Sequence, residues 1–201
     1  MQPAIYLIDD EPAIRASLSA LLNTVGWQTV TYDSAQAFLQ DAGDFNTLTG
    51  CMLLDIRMPG KTGLTLLDEW QQQGLTLPVI IMTGHGNIDL CRRAFKNGAF
   101  EFLTKPIDAD LLFDVVGNAL AQHERYRVQQ QGNQVRQARL ASLTDREAQI
   151  FAQIMQGGSA KAIALLLTLS PRTVEAHRAN IFAKLGVNSL PKLMYLYGDL
   201  A

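Results

Sequence analysis

Five times between Ala4 and Leu120, a strand-like run of four or five residues is followed by a segment with helical spacing, and this alternation constrains the chain more than any other feature. The runs are Ala4–Ile8, Gln28–Tyr32, Cys51–Leu54, Pro78–Met82 and Phe100–Leu103. The first helical segment, Pro12 to Val25, carries Ile14, Leu18, Leu21, Leu22 and Val25 on one face and stops at Gly26. Others follow at Ser34–Gln40, Gly63–Gln73, Ile88–Asn97 and from Asp108 through Leu111, Leu112, Val115, Val116, Ala119 and Leu120. Parallel neighbours need a crossover between them, usually a helix, and this alternation supplies one each time. Residues 1–121 are therefore expected to form an α/β doubly wound five-stranded parallel sheet.

Polar residues cluster where these runs end. Asp9 and Asp10 follow the first, Asp55 the third, Thr83 the fourth, and Lys105-Pro106 the fifth. Side chains leaving the carboxyl ends of parallel strands converge on one crevice, so residues far apart in sequence share a site. Three acids there would repel one another without a cation, which suggests a metal and a phosphoryl acceptor. Lys105 as a plain salt bridge to Asp55 is compatible with that reading.

The remaining sequence differs in charge and pattern. Residues 1–121 hold 7 Lys+Arg against 14 Asp+Glu, a net of −7, whereas the last 80 hold 10 against 5, a net of +5. A sensor joined to a nucleic-acid-binding module would show this asymmetry. Residues 122–140 are polar and basic and read as a linker, disordered or extending the preceding helix until Gly132-Asn133 weakens it. Residues 141–201 then predict a small all-α domain of four helices, at about 145–156, 160–167, 171–185 and 189–197, with Thr144 and Glu147 forming a capping box. Cys51 and Cys91 form no CxxC and are expected to be reduced thiols. The N-terminus has no basic leader, and no run of about 18 apolar residues occurs, so the expectation is a cytoplasmic protein with no membrane partner.

Asp9-Asp10, Asp55, Thr83 and Lys105-Pro106, in that order and each at a strand end, resemble the signature of two-component receiver domains, a flavodoxin-like fold. The resemblance implies that Asp55 accepts a phosphoryl group from a sensor histidine kinase. It implies Mg²⁺ held by Asp9, Asp10, Asp55 and the Arg57 backbone carbonyl, with Thr83 and Lys105 contacting the phosphate. Lys105-Pro106 would be a cis bond, and Thr83 with Phe102 would form a switch that reshapes the fourth helix, fifth strand and fifth helix into a homodimer surface. Arg57 and His85 are positioned to influence phosphate lifetime. An aspartyl phosphatase is disfavoured, since such enzymes need DxD and a cap, and a phosphate-independent receiver is disfavoured by the intact residue set. The expectation is not an enzyme but a regulator limited to self-phosphotransfer and autodephosphorylation.

Leu143-Thr144-Asp145-Arg146-Glu147 and the stretch from Ser170-Pro171-Arg172-Thr173-Val174 to Lys184-Leu185-Gly186-Val187 resemble the LuxR-type helix-turn-helix. With the receiver in front, the chain is similar to NarL/FixJ-type response regulators, Met82-Thr83-Gly84-His85-Gly86 leaning towards FixJ. Val174, Ile181 and Leu185 would be buried, leaving Arg172, Thr173, Glu175, Ala176, Arg178 and Lys184 for double-stranded DNA. Arg would read guanine, and Lys184 and Thr173 would contact phosphates. Glu175 would accept from cytosine or pair with Arg172 or Arg178. Ala160-Lys161-Ala162 departs from the family, which has Asn and Glu around that lysine, putting local stability in doubt. Such a protein would bind DNA as a dimer and engage RNA polymerase.

Overall fold

A computed structural model of the protein describes residues 3–43, 47–60, 62–84 and 88–200. The chain forms two compact units, Met1–Arg127 and Val128–Ala201.

In the first unit, strands β1 (Ala4–Ile8), β2 (Gln28–Tyr32), β3 (Gly50–Asp55), β4 (Val79–Thr83) and β5 (Glu101–Thr104) make one parallel sheet in the order β2-β1-β3-β4-β5. This is the flavodoxin-like order, whose direction of winding reverses between β1 and β3. The helices between them are α1 (Pro12–Thr24), α2 (Ala35–Ala42), α3 (Gly63–Gln72) and α4 (Ile88–Lys96), followed by α5 (Ala109–Ala141).

Alternation within a strand divides the core between two faces. Met52 and Leu54 of β3 pack with Phe38, Leu67 and Trp70, whereas Cys51 and Leu53 pack with Leu18, Leu22, Leu112 and Val116. All six residues of β3 are buried, as expected of a central parallel strand covered by helices on both sides. Burial of a side chain such as Leu53 contributes about 1.5–3 kcal/mol. Both cysteines are free, and burial pushes the Cys51 thiol up to about 12.

Alpha5 continues the apolar stripe Leu112, Val115, Val116, Ala119 to His123, which is also buried. His123 Nδ1 accepts the Gly50 N–H at 3.1 Å, joining α5 to the start of β3. That bond requires a neutral imidazole with its proton on Nε2. Burial lowers the His123 pKa, the Arg127 charge lowers it further, and Glu124 opposes them. As pH falls below about 6.5, the unfolded chain takes up a proton that the folded imidazole refuses, so stability is lost from there down to the depressed folded value. Thermal melts of wild type and His123→Asn, which retains an acceptor but does not titrate, should diverge in acid. Equal acid sensitivity would refute the assignment.

Residues 122–140 take the second of the two forms expected of the linker, extending the preceding helix, and only the break at Gly132-Asn133 is corrected. Alpha5 does not weaken at Gly132-Asn133 but runs unbroken to Ala141. One glycine costs only about 1 kcal/mol in a helix, and the surrounding Gln and Arg residues are good helix formers.

In the second unit, α6 (Asp145–Met155), α7 (Ala160–Leu166), α8 (Pro171–Leu185) and α9 (Leu190–Tyr197) enclose Ile150, Ile154, Ile163, Val174, Ile181, Leu185, Leu193 and Tyr197. Thr144, Ser159, Ser170 and Ser189 each accept a backbone N–H of the helix that they precede. Each such cap stabilises by about 1 kcal/mol. Ser159 caps α7 directly in front of Ala160-Lys161-Ala162, so the helix start retains a side-chain acceptor there. Thr168, at φ 56°, takes the left-handed turn between α7 and α8, a region that β-branched residues rarely enter.

Candidate functional site

The reversal of winding brings the ends of β1 and β3 together, and both carry buried carboxylates. Asp9 is fully buried and Asp55 nearly so. Backbone bonds from Asp9 N to Tyr32 O, Ile56 N to Met82 O and Lys105 N to Thr83 O fix the chain where the strands end. Lys105 Nζ lies 2.7 Å from Asp9 Oδ2 and 2.8 Å from Asp55 Oδ1, so one ammonium bridges both acids. Glu11 Oε1 is 3.8 Å away at the exposed rim. Burial alone would lower the Lys105 pKa, but its hydrogen bonds to Asp55 and Asp9 outweigh burial and leave it raised.

The other carboxylate oxygens are held by backbone. Arg57 N–H donates to Asp55 Oδ2 at 2.7 Å, and Glu11 N–H donates to Asp9 Oδ1 at 2.9 Å. Asp10 is half-buried beside them, Thr83 is buried at the end of β4, and Arg57 is exposed. Phe102 is partly buried against the core on the α3 side of the sheet. The Lys105–Pro106 peptide is cis. His85 lies outside the described residues.

Among the described residues there is no cluster of three or more His, Cys, Asp or Glu arranged to hold a metal. The donor set nevertheless fits Mg²⁺, which takes one or two carboxylates and completes its shell with water and phosphate oxygens. Asp9 and Asp55 offer only hard oxygens, already drawn together around one cationic group.

Two contributors were not evident from sequence. Arg15 Nη1 donates to the Asp9 carbonyl at 2.6 Å, bracing the loop that carries the acids. Gly63 packs so closely under β3 that an added Cβ would stand 2.3 Å from the Asp55 carbonyl oxygen. The only hint was a glycine at the start of a helix, and nothing local said what it faced.

In the second unit, α8 presents Arg172, Glu175 and Ala176 to solvent, with Thr173 and Arg178 half-buried. Glu175 pairs with Arg178 at 3.5 Å, and the Arg178 guanidinium lies over the Phe182 ring. Thr173 contacts Ser170 at the cap, its hydroxyl at 2.8 Å. Lys184, expected at DNA phosphates, points elsewhere. Its ammonium donates to the buried Glu147 at 2.6 Å and to the Ser142 carbonyl at 3.2 Å. The Lys184 bond, reinforced by the Thr144 N–H, holds the Glu147 carboxyl down to about 2. Glu147 thus closes the capping box of α6 and also ties it to α8.

An acid pair at the switch point of a flavodoxin-like sheet, followed by a four-helix domain with an exposed, arginine-bearing helix, defines a receiver coupled to an output module. The family described as response regulator receiver domain matches residues 5–117, and that described as bacterial regulatory proteins, luxR family, matches residues 141–197. The chain belongs to this family: it is a response regulator transcription factor.

Among its relatives, the transcriptional regulatory protein FixJ of Bradyrhizobium diazoefficiens is 41% identical over 96% of this chain and 93% of its own. TdiR of Thauera aromatica is 38% identical over 95% of this chain and 83% of its own. The solved response regulator StyR superposes with a TM-score of 0.88 at 34% identity, covering 99% of this chain and 100% of its own. Full-length FixJ from B. japonicum gives 0.59 at 39% identity, with 100% of both chains covered. The receiver implies a kinase partner, and the luxR-family domain implies DNA binding. Among the described residues no helix is long and apolar enough to cross a membrane.

Proposed function

We propose that this chain is a cytoplasmic regulator in which Asp55 accepts a phosphoryl group from the phosphohistidine of a sensor histidine kinase. The observation that carries this reading is the pair of buried carboxylates, Asp9 and Asp55, sharing the ammonium of Lys105. Arg57 N–H holds Asp55 Oδ2, so the carboxylate is oriented before the donor arrives and Oδ1 faces the charged pocket. In the transfer the O–P bond to Asp55 forms as the N–P bond of the donor breaks. Lys105 then balances charge on the new phosphoryl oxygens, and the Thr83 hydroxyl donates to one of them.

Mg²⁺, held by Asp9, Asp10, Asp55 and the Arg57 carbonyl, would supply charge neutralisation for the transferring group. The protein's own chemistry ends with hydrolysis of its aspartyl phosphate.

The domains divide as receiver 1–121, linker 122–140 and DNA-binding 141–201. Thr83 moves towards the phosphate and Phe102 takes the vacated space, so that α4, β5 and α5 present a homodimer surface. Paired domains then read two half-sites in double-stranded DNA, with Arg172, Glu175, Ala176 and Arg178 facing bases and Thr173 near the backbone. DNA-bound dimers engage RNA polymerase. Incubation with acetyl phosphate and Mg²⁺ should label wild type and not Asp55→Asn. Equal labelling of both, or none of wild type, would sink the assignment.

A further inference from the structure

The C-terminal end of α8 is held by residues that take no part in facing DNA. A helix leaves its last carbonyls without intrahelical donors. Here Gly186, in the left-handed conformation at φ 68°, and Val187 satisfy the earlier ones through their own N–H groups. The Leu185 carbonyl instead takes two side-chain donors, Tyr197 Oη at 2.8 Å and Arg139 Nη1 at 3.1 Å. Arg139 comes from the last turn of α5, 46 residues earlier in the chain. The grip is reciprocal, because Lys184 of α8 donates to the Ser142 carbonyl just beyond α5 at 3.2 Å. The guanidinium lies against Gly186, where an added Cβ would stand 2.5 Å from Nη1. Its charge also complements the negative end of the helix dipole.

We infer that Arg139 is a positioning residue for DNA recognition: it fixes the axial position and rotation of α8 without touching DNA. The inference rests on α8 being the base-reading helix. Arg139 is itself exposed, and Tyr197 continues to occupy the Leu185 carbonyl when Arg139 is replaced, so the fold survives substitution. What is lost is one of the restraints on where the helix points. Reading bases depends on that placement, whereas general attraction to phosphates does not.

The test uses the full chain with acetyl phosphate and Mg²⁺, and two duplexes: one recovered by wild type from a randomised pool, and one of the same composition with its sequence shuffled. Arg139→Gln should bind the selected duplex about fivefold more weakly, the size of one modest hydrogen bond. Its affinity for the shuffled duplex and the salt dependence of binding should match wild type. Arg139→Lys, whose ammonium still donates, should recover most of the loss. If both duplexes are bound more weakly and the salt slope falls by about one, Arg139 is a phosphate contact and the inference fails. Unchanged discrimination by Arg139→Gln overturns it equally. If wild type itself selects no duplex, the assignment of α8 as the reading helix fails first.

Discussion

Lys105→Met should destabilise the protein by about 3 kcal/mol in the absence of divalent cations, the scale for breaking a buried ion pair from one side. The methionine keeps most of the stem and removes the charge. Asp9 and Asp55 would then face each other with side chains 0% and 5% exposed and without the ammonium that both contact in wild type. Water cannot screen a pair so placed, so added monovalent salt should recover little. Millimolar Mg²⁺ should recover more of the loss, and should stabilise the variant more than wild type, because in wild type the cation competes with Lys105 for the same oxygens. The pH dependence has a definite sign. The Lys105 pKa is raised on folding, so its contribution is complete below the ordinary 10.5 and is lost as pH rises through the elevated value. The gap between the two proteins should therefore close in strong alkali. Denaturant unfolding with and without Mg²⁺ measures all of this, and a variant within about 0.5 kcal/mol of wild type would mean that the bridge is not stabilising, well short of what a broken buried pair costs.

How much of this site was legible in the sequence depended on the range of the interaction. Asp9, Asp55, Thr83 and Lys105 could be read as one site because each ends an apolar run, and parallel strands must bring such ends to one edge. The start of α6 was legible for a local reason: Thr144 stands one residue ahead of it and, with Glu147, caps it, whereas the structure adds the same role for Ser159, Ser170 and Ser189. Contacts between elements were not legible. Lys184 has the position of a phosphate-binding residue and remains exposed, but Glu147, 37 residues earlier, engages its ammonium. The same Glu147 was recognised as a cap because that role spans only three residues. His123 meets Gly50 across 73 residues, and no pattern within α5 announces it. Periodicity fixes which face of an element is buried, but not which residue of another element it will touch.

Gly63→Ala should be the most damaging single-methyl change near Asp55. Gly63 opens α3, and its N–H donates to the Ile56 carbonyl at 3.0 Å, tying the helix to the chain immediately after Asp55. An alanine Cβ would lie 2.3 Å from the Asp55 carbonyl oxygen and 3.1 Å from both the Asp55 carbonyl carbon and Ile56 Cα. All three are backbone atoms of the central strand and the turn after it, so no flexible side chain can yield. Either α3 retreats and loses its bond to Ile56, or the end of β3 shifts and takes the Asp55 carboxylate with it. Overpacking of this kind costs about 1–3 kcal/mol, and the rigid neighbours put this case at the upper end. Because the displaced backbone carries the acceptor, labelling of Asp55 by acetyl phosphate should slow even where the variant is fully folded. Gly84→Ala provides the comparison, since a Cβ there meets nothing within 4 Å among the described residues and should leave the melting temperature nearly unchanged. A Gly63→Ala protein that melts and labels like wild type would show that the close packing under Asp55 does not position it.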